Sequence, residues 1–213
     1  MKGNLKSEMR NSKSESQEAD SGFGISNFGP RIFLIGYRCT GKTTVARLLA
    51  EKLGWDWVDA DSVLEARYGK SIRQIFASEG ESGFRDKEEQ IFAELCRPQR
   101  CVVATGGGVI LRDVNRQRIC LAGKVVWLTA DAQTIWERLR ADPATAEKRP
   151  ALTVGGLAEI EEVLKMREPL YRACADLAIS TAGHATEEIA RQIADKWTKE
   201  EGGVPKARTD ECP

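Results

Sequence analysis

The chain has 213 residues and a mass of 23.5 kDa, a size at which one compact core with tails is expected. Hydrophobic residues make up 41% of it and charged residues 30%, which is typical of a globular protein and argues against a disordered, collagen-like or membrane-spanning chain. Lysine plus arginine and aspartate plus glutamate both number 32, so no global charge attracts nucleic acid or an anionic membrane.

The cysteine and histidine residues argue against several kinds of site. Six cysteines are scattered without a CxxC pair or a zinc-like spacing, so reduced thiols are expected. His184 is the only histidine, and a Ser/His/Asp or Cys/His nucleophile would depend on that one residue. No apolar segment follows the basic residues of the N terminus, so we predict a cytoplasmic protein without a secretory signal.

Both ends of the chain are polar and lack apolar periodicity. We predict disordered tails over residues 1–30 and 200–213, because these segments cannot bury enough surface to offset the entropy of ordering. A single folded domain is then expected over residues 31–199. We expect it to be a monomer, because no large exposed apolar stripe is recognisable.

Short apolar segments alternate with helical patterns along this domain, which is typical of a parallel sheet covered by helices. The predicted strands are Arg31–Gly36, Trp57–Asp59, Cys101–Ala104, Val125–Leu128 and Leu177–Ser180. Between them the apolar spacing changes to that of a helix. We therefore predict a three-layer α/β/α fold around a central five-stranded parallel sheet.

The connection between the second and third predicted strands is too long for one crossover helix. Ser71 and Gln74 have the spacing of a capping box, so a helix is expected to begin inside this connection. We expect a small helical subdomain beside the sheet. A later helix contains Pro169, which should disturb that helix near its end.

The strongest local pattern lies between the first strand and the first helix. Residues 36–43 read Gly-Tyr-Arg-Cys-Thr-Gly-Lys-Thr and match the G-x-x-x-x-G-K-[ST] pattern of a phosphate-binding P-loop. Backbone N–H groups at a helix N-terminus form an anion site in such a loop. Lys42 is expected to reach the β- and γ-phosphates, and the Thr43 hydroxyl to bind Mg²⁺. The pattern indicates a nucleotide and leaves the reaction open.

Two aspartates follow the second strand, at the edge where parallel sheets bind ligands. Asp59 and Asp61 are two residues apart, so in an extended segment both side chains point to one side. Asp59 could hold Mg²⁺ through water, and Asp61 could orient or deprotonate an acceptor hydroxyl. The alternative is that the pair only caps the helix that follows.

Three glycines and two arginines complete the candidate site. Gly106, Gly107 and Gly108 follow the third strand and allow either a close approach of the backbone to a ligand or a simple turn. Arg85 and Arg167 lie in predicted helices, where a single arginine is commonly a solvated charge. Together they could form a guanidinium clamp for a carboxylate.

In their order along the chain, these motifs resemble those of the shikimate kinase family. The resemblance extends from about residue 31 to residue 197 and includes the P-loop, Asp-x-Asp, Phe-Arg, the triple glycine, Arg-Pro and Arg-x-Pro-Leu-Tyr. It implies a P-loop kinase fold with a substrate-binding insertion over residues 61–96 and a mobile lid over residues 141–156. The implied reaction is the phosphorylation of the 3-hydroxyl of shikimate by ATP with Mg²⁺.

The resemblance also implies contacts for individual residues. Nucleotide contacts are implied for Gly36, Tyr37, Arg38, Cys39, Thr40, Gly41, Lys42, Thr43, Thr44, Arg138 and Arg149. Shikimate contacts are implied for Asp61, Arg85, Gly106, Gly107, Gly108 and Arg167. Among these, Lys42, Asp61 and Arg149 are implied to be catalytic, and Thr43 and Asp59 to bind the metal. Arg138 is implied to lie over the adenine ring, although Arg140 could serve instead.

The sequence departs from the family pattern at two positions. Cys39 stands where many members have glycine, and Ala151 replaces a leucine of the lid. Neither change removes a charged group that the chemistry needs. Two other interpretations stay open at this point: another small-molecule kinase, such as a gluconate or nucleoside-monophosphate kinase, and a non-catalytic nucleotide-binding module.

Overall fold

The computed structural model describes residues 30–97, 99–141 and 156–200, with side chains described as far as residue 198. Its centre is a parallel sheet with the strand order β2-β3-β1-β4-β5. The strands are β1 Arg31–Ile35, β2 Asp56–Asp59, β3 Cys101–Ala104, β4 Lys124–Thr129 and β5 Leu177–Ser180. All five predicted strands are confirmed, each to within one residue at either end.

Helices cover both faces of this sheet. Within the described ranges they are α1 Lys42–Leu53, α2 Ala60–Tyr68, α3 Ile72–Leu95, α4 Asp113–Ala122, α5 Ala132–Ala141, α6 Gly156–Cys174 and α7 Thr186–Glu200. A short 3₁₀ helix, Val109–Leu111, precedes α4. None of the described helices has both the length and the apolar character that crossing a bilayer requires.

Successive side chains of β1 point alternately into two hydrophobic cores on opposite faces of the sheet. Ile32 and Leu34 belong to the core shared with α1 and α7, whereas Phe33 and Ile35 belong to the core shared with α3, α4 and α6. All four side chains are fully buried, as expected for a central strand that is covered on both faces. The predicted three-layer α/β/α fold is confirmed.

The long connection between β2 and β3 contains α2 and α3, which pack against each other. The capping box at the start of α3 is confirmed: the Ser71 hydroxyl accepts from the Gln74 N–H at 3.2 Å, and the Gln74 side chain accepts from the Ser71 N–H at 2.8 Å. Gly80 interrupts α3 with φ 70° and ψ −173°. The helix is therefore kinked at Gly80, and Arg85 lies in its second part.

The expectation that Pro169 disturbs the end of its helix is wrong. Helix α6 continues through this proline to Cys174. Proline removes one N–H donor from a helix, but Tyr171 and Cys174 after it are fully buried in the core that contains β4. Tertiary packing therefore keeps the last turn helical despite the local preference.

A buried arginine joins the start of the sheet to the ends of two helices. Arg31 is 1% exposed, and its Nε donates to the carbonyl of Ala122 at 2.8 Å, at the end of α4. Its Nη1 donates to the carbonyl of Cys96, which follows α3. Burial lowers the pKa of Arg31, but both helix ends gain the cationic donor that their dipoles favour.

Replacing this arginine should weaken the fold. We expect Arg31→Met to lower the free energy of unfolding by about 2–4 kcal/mol, because two part-buried carbonyls lose their donor. Urea denaturation measures this change. The matched control is Arg47→Met on the exposed side of α1, which should cost less than about 0.5 kcal/mol. Equal stability of the two variants would contradict the assignment.

Candidate active site

The loop between β1 and α1 is wound tightly against its own backbone. Gly36 has φ 140°, and a Cβ at this position would overlap the carbonyl of Leu128. Cys39 and Gly41 also have positive φ values, 60° and 83°. Gly41 precedes α1 without a side-chain cap, so N–H groups of the first helical turn stay available to an anion.

Lys42 lies across this loop. Its buried ammonium group donates to the carbonyl of Gly36 at 2.9 Å and to that of Tyr37 at 2.6 Å. The Thr40 hydroxyl donates to the same Tyr37 carbonyl at 2.8 Å. The backbone of the loop therefore holds the Lys42 ammonium group in place. A phosphate bound at Lys42 would share this ammonium group with the two carbonyls.

The next residue, Thr43, contacts the first of the two aspartates. Its hydroxyl donates to Asp59 Oδ2 at 2.6 Å, while Asp59 Oδ1 accepts from the Ser62 N–H at 3.2 Å. Asp59 is thus both a helix cap for α2 and a partner of the P-loop threonine. A hydroxyl and a carboxylate are the hard oxygen donors that Mg²⁺ prefers. The described residues contain no metal-binding cluster of three or more histidine, cysteine, aspartate or glutamate side chains. This donor set fits a metal that takes its other ligands from phosphates and water.

The second aspartate has different neighbours from the first. The alternation argument for the pair is wrong, because α2 already begins at Ala60 and Asp61 is helical. A Cβ built on Gly106 would lie 2.8 Å from Asp61 Oδ1 and 2.9 Å from Glu88 Oε1. Asp61 therefore faces the triple glycine, whereas Asp59 contacts the P-loop.

Arg85 reaches the triple glycine from α3. A Cβ on Gly108 would lie only 2.7 Å from its Cζ, so a larger residue there would displace the guanidinium group. Arg85 Nη1 donates to Glu88 Oε2 at 2.5 Å, and the two side chains are 10% and 7% exposed. Sequence reasoning missed Glu88, although its i,i+3 spacing from Arg85 is a usable signal.

Arg167 reaches the neighbouring glycine from α6. Its Nη1 donates to the carbonyl of Gly107 at 3.3 Å, and the Tyr171 hydroxyl donates to the same carbonyl. Burial raises the pKa of Tyr171 to about 12, against the opposing effect of Arg167 and Arg85, so the phenol stays a donor at neutral pH. The two arginines of the predicted clamp therefore lie against adjacent glycines.

Arg138 borders the P-loop on its other side. Its guanidinium group donates to the carbonyl of Cys39 at 3.2 Å and, through Nη1 and Nη2, to the hydroxyl and carbonyl of Thr181 at 2.9 and 2.7 Å. Arg140 is exposed, which favours Arg138 of the two candidates for the adenine site. Sequence reasoning missed Thr181 because it follows β5, far from any motif.

The other predicted nucleotide contacts lie in or beside the same loop. Thr44 is exposed in the first turn of α1. The backbone N of Arg38 would lie 3.3 Å from a Cβ on Gly107, so the P-loop and the triple glycine are in direct contact. The Cys39 thiol is partly buried and, like the other four cysteines of the described ranges, forms no disulfide.

Several predictions concern residues outside the described ranges. Arg149 and Ala151 are among them, as are residues 142–155 of the predicted lid and nearly all of both predicted tails. The two described residues of that lid are its ends, and both are helical: Ala141 ends α5, and Gly156 begins α6. The two helices on either side of it pack against each other.

Comparison with known proteins identifies the family of the chain. A family model described as shikimate kinase matches residues 38–198. The shikimate kinase of Rhodopirellula baltica is 47% identical over 163 residues, which cover 76% of this chain and 87% of that relative. The shikimate kinase of Thermodesulfovibrio yellowstonii is 43% identical over 173 residues, with coverages of 81% and 97%.

Solved structures give the same result. A shikimate kinase from Acinetobacter baumannii in complex with shikimate has a TM-score of 0.76 at 36% identity, covering 81% of this chain and 95% of that one. The shikimate kinase from Aquifex aeolicus has a TM-score of 0.69 at 30% identity, with coverages of 81% and 99%. By the family model, by sequence identity and by fold, the chain belongs to the shikimate kinase family.

Proposed function

We propose that this chain transfers the γ-phosphoryl group of ATP to the 3-hydroxyl of shikimate, giving 3-phosphoshikimate and ADP. The observation that carries the proposal is the contact between the two halves of the site. Gly107 lies against the P-loop backbone, where its Cβ would be 3.4 Å from the Gly36 carbonyl. Arg85 and Arg167 contact Gly108 and Gly107. The triple glycine therefore borders both the phosphate site and the two arginine cations that would bind an acidic acceptor.

The two arginines suit the carboxylate of shikimate. Glu88 fixes the guanidinium fork of Arg85 through Nη1, whereas the contact of Nη2 with Glu81 is long, at 3.3 Å. The Glu81 side chain is 64% exposed, so a substrate carboxylate can replace it at little cost. The planar guanidinium group then offers paired N–H donors to the carboxylate. This pairing orients the shikimate ring as well as binding the carboxylate.

The reaction mainly requires the protein to align the two substrates and to neutralise negative charge on the phosphates. The transferred phosphoryl group is largely metaphosphate-like in the transition state, so a strong base is not required. Asp61, beside Gly106, is placed to orient the acceptor hydroxyl and to take its proton late. Lys42 stabilises negative charge on the β- and γ-phosphate oxygens.

Thr43 and Asp59 are the residues that would hold Mg²⁺, and their oxygens lie 2.6 Å apart. When bound, the metal would neutralise charge on the phosphates of ATP. From the family resemblance we assign Arg149 to charge stabilisation in a lid that excludes water, and Arg138 to the adenine ring. A cytoplasmic location and a monomeric state remain predictions from the sequence.

An assay of ADP release with different acceptors tests the proposed reaction. We expect shikimate to stimulate ADP release strongly over the rate without acceptor, because the aligned hydroxyl reacts faster than stray water. Gluconate, which is also a polyhydroxy carboxylate, should give no more than the background rate. Equal rates with gluconate would indicate another small-molecule kinase. No stimulation by either acid would contradict the proposed reaction and leave a nucleoside-monophosphate kinase or a non-catalytic nucleotide-binding module.

Removal of one clamp arginine should weaken binding of the acceptor and leave binding of the nucleotide nearly unchanged. We expect Arg85→Ala to raise the KM for shikimate by about thirtyfold or more, because losing one partner of a buried charge pair typically costs about 2–5 kcal/mol. The KM for ATP should change little. Arg73→Ala, on an exposed position of the first turn of α3, is the matched control and should behave as wild type. An unchanged KM for shikimate would remove Arg85 from the clamp.

A further inference from the structure

Tyr37 is the second residue of the P-loop, yet its ring belongs to a separate hydrophobic cluster. The side chain is 1% exposed and packs with Ile135 and Leu139 of α5 and with Ile160 of α6. Its backbone carbonyl, by contrast, accepts from Lys42 at 2.6 Å. One residue therefore contacts the phosphate lysine through its backbone and the two helices through its side chain.

The ring also contacts the acceptor side of the site. Arg167 Cζ lies 5.9 Å from the centroid of the Tyr37 ring, within the range of a cation–π interaction. The same guanidinium group donates to the Gly107 carbonyl at 3.3 Å. Among the described residues, Arg167 is thus held between an aromatic face and a glycine carbonyl, and the ring opposes its movement away from Gly107.

The hydroxyl of Tyr37 takes no visible part in this arrangement. It is buried and has no hydrogen-bond partner among the residues that the structure describes. Burial raises the pKa of Tyr37, with Arg38 and Arg167 opposing the shift, so the phenol stays neutral at physiological pH. The contact with Arg167 therefore involves the ring, and the variant Tyr37→Phe preserves it.

We propose that Tyr37 is a positioning residue for the acceptor: its ring holds the Arg167 guanidinium beside Gly107, where the substrate carboxylate binds. A residue of the nucleotide loop then governs affinity for the acid rather than for ATP. The inference rests on the proposed function, because it takes Arg167 as part of the carboxylate clamp.

Steady-state kinetics of three variants test the proposal. Tyr37→Leu removes the aromatic face and should raise the KM for shikimate by about threefold to thirtyfold, the range expected for a partly buried cation–π contact. The KM for ATP should change by less than about twofold, because the backbone carbonyl that contacts Lys42 is retained. Tyr37→Phe keeps the aromatic face and should rescue the KM for shikimate that is raised in Tyr37→Leu. Trp197→Leu, in α7 and outside the substrate-binding insertion, removes a ring that packs against Trp55 and should also match wild type.

A double-mutant cycle shows whether Tyr37 acts through Arg167. In an Arg167→Met background, Tyr37→Leu should raise the KM for shikimate no further, because the partner of the ring is already absent. Additive effects would overturn the proposal, as would equal increases in the KM for ATP and for shikimate, or a loss in Tyr37→Phe. If Tyr37→Leu does not fold, Tyr37→Met takes its place in the same cycle. Failure of wild type to phosphorylate shikimate would instead overturn the proposed function.

Discussion

The candidate site depends on close contacts between the backbone of residues 106–108 and the groups around it. The Gly107 carbonyl accepts from Arg167 and Tyr171, and Gly108 leaves no room for a Cβ beneath the Arg85 guanidinium. On its other side Gly107 touches the P-loop. A side chain at Gly108 would displace the Arg85 guanidinium group, and one at Gly107 would press on the P-loop backbone. The absence of Cβ atoms therefore brings donor and acceptor together.

The fold brings this contact about from both faces of the sheet. Helix α1, on one face, carries Lys42 and Thr43 at its start, whereas α3 and α6 carry Arg85 and Arg167 on the other face. The strands end between these layers, and β3 leads directly into the triple glycine. The site therefore lies where a parallel sheet ordinarily binds its ligands, outside the carboxyl ends of its strands.

Local patterns predicted much of this arrangement. Strand positions, the P-loop and the capping box of α3 follow from residues that are neighbours in sequence. Three features could not be predicted in that way, because they depend on distant partners. The buried Arg31 donates to carbonyls that are 65 and 91 residues away in the sequence. Helix α6 continues past Pro169 because its last turn is buried. Asp61 faces Gly106 because α2 begins at the residue directly after β2.

The central claim is that Arg85 and Arg167 act together on one substrate carboxylate. Calorimetric titration with shikimate and with its uncharged methyl ester tests it most directly. Wild type should bind the ester at least about thirtyfold more weakly, as expected for the loss of a buried charge pair. In Arg85→Met and in Arg167→Met this preference should fall to within about threefold. A full preference for the acid in either variant would contradict the claim.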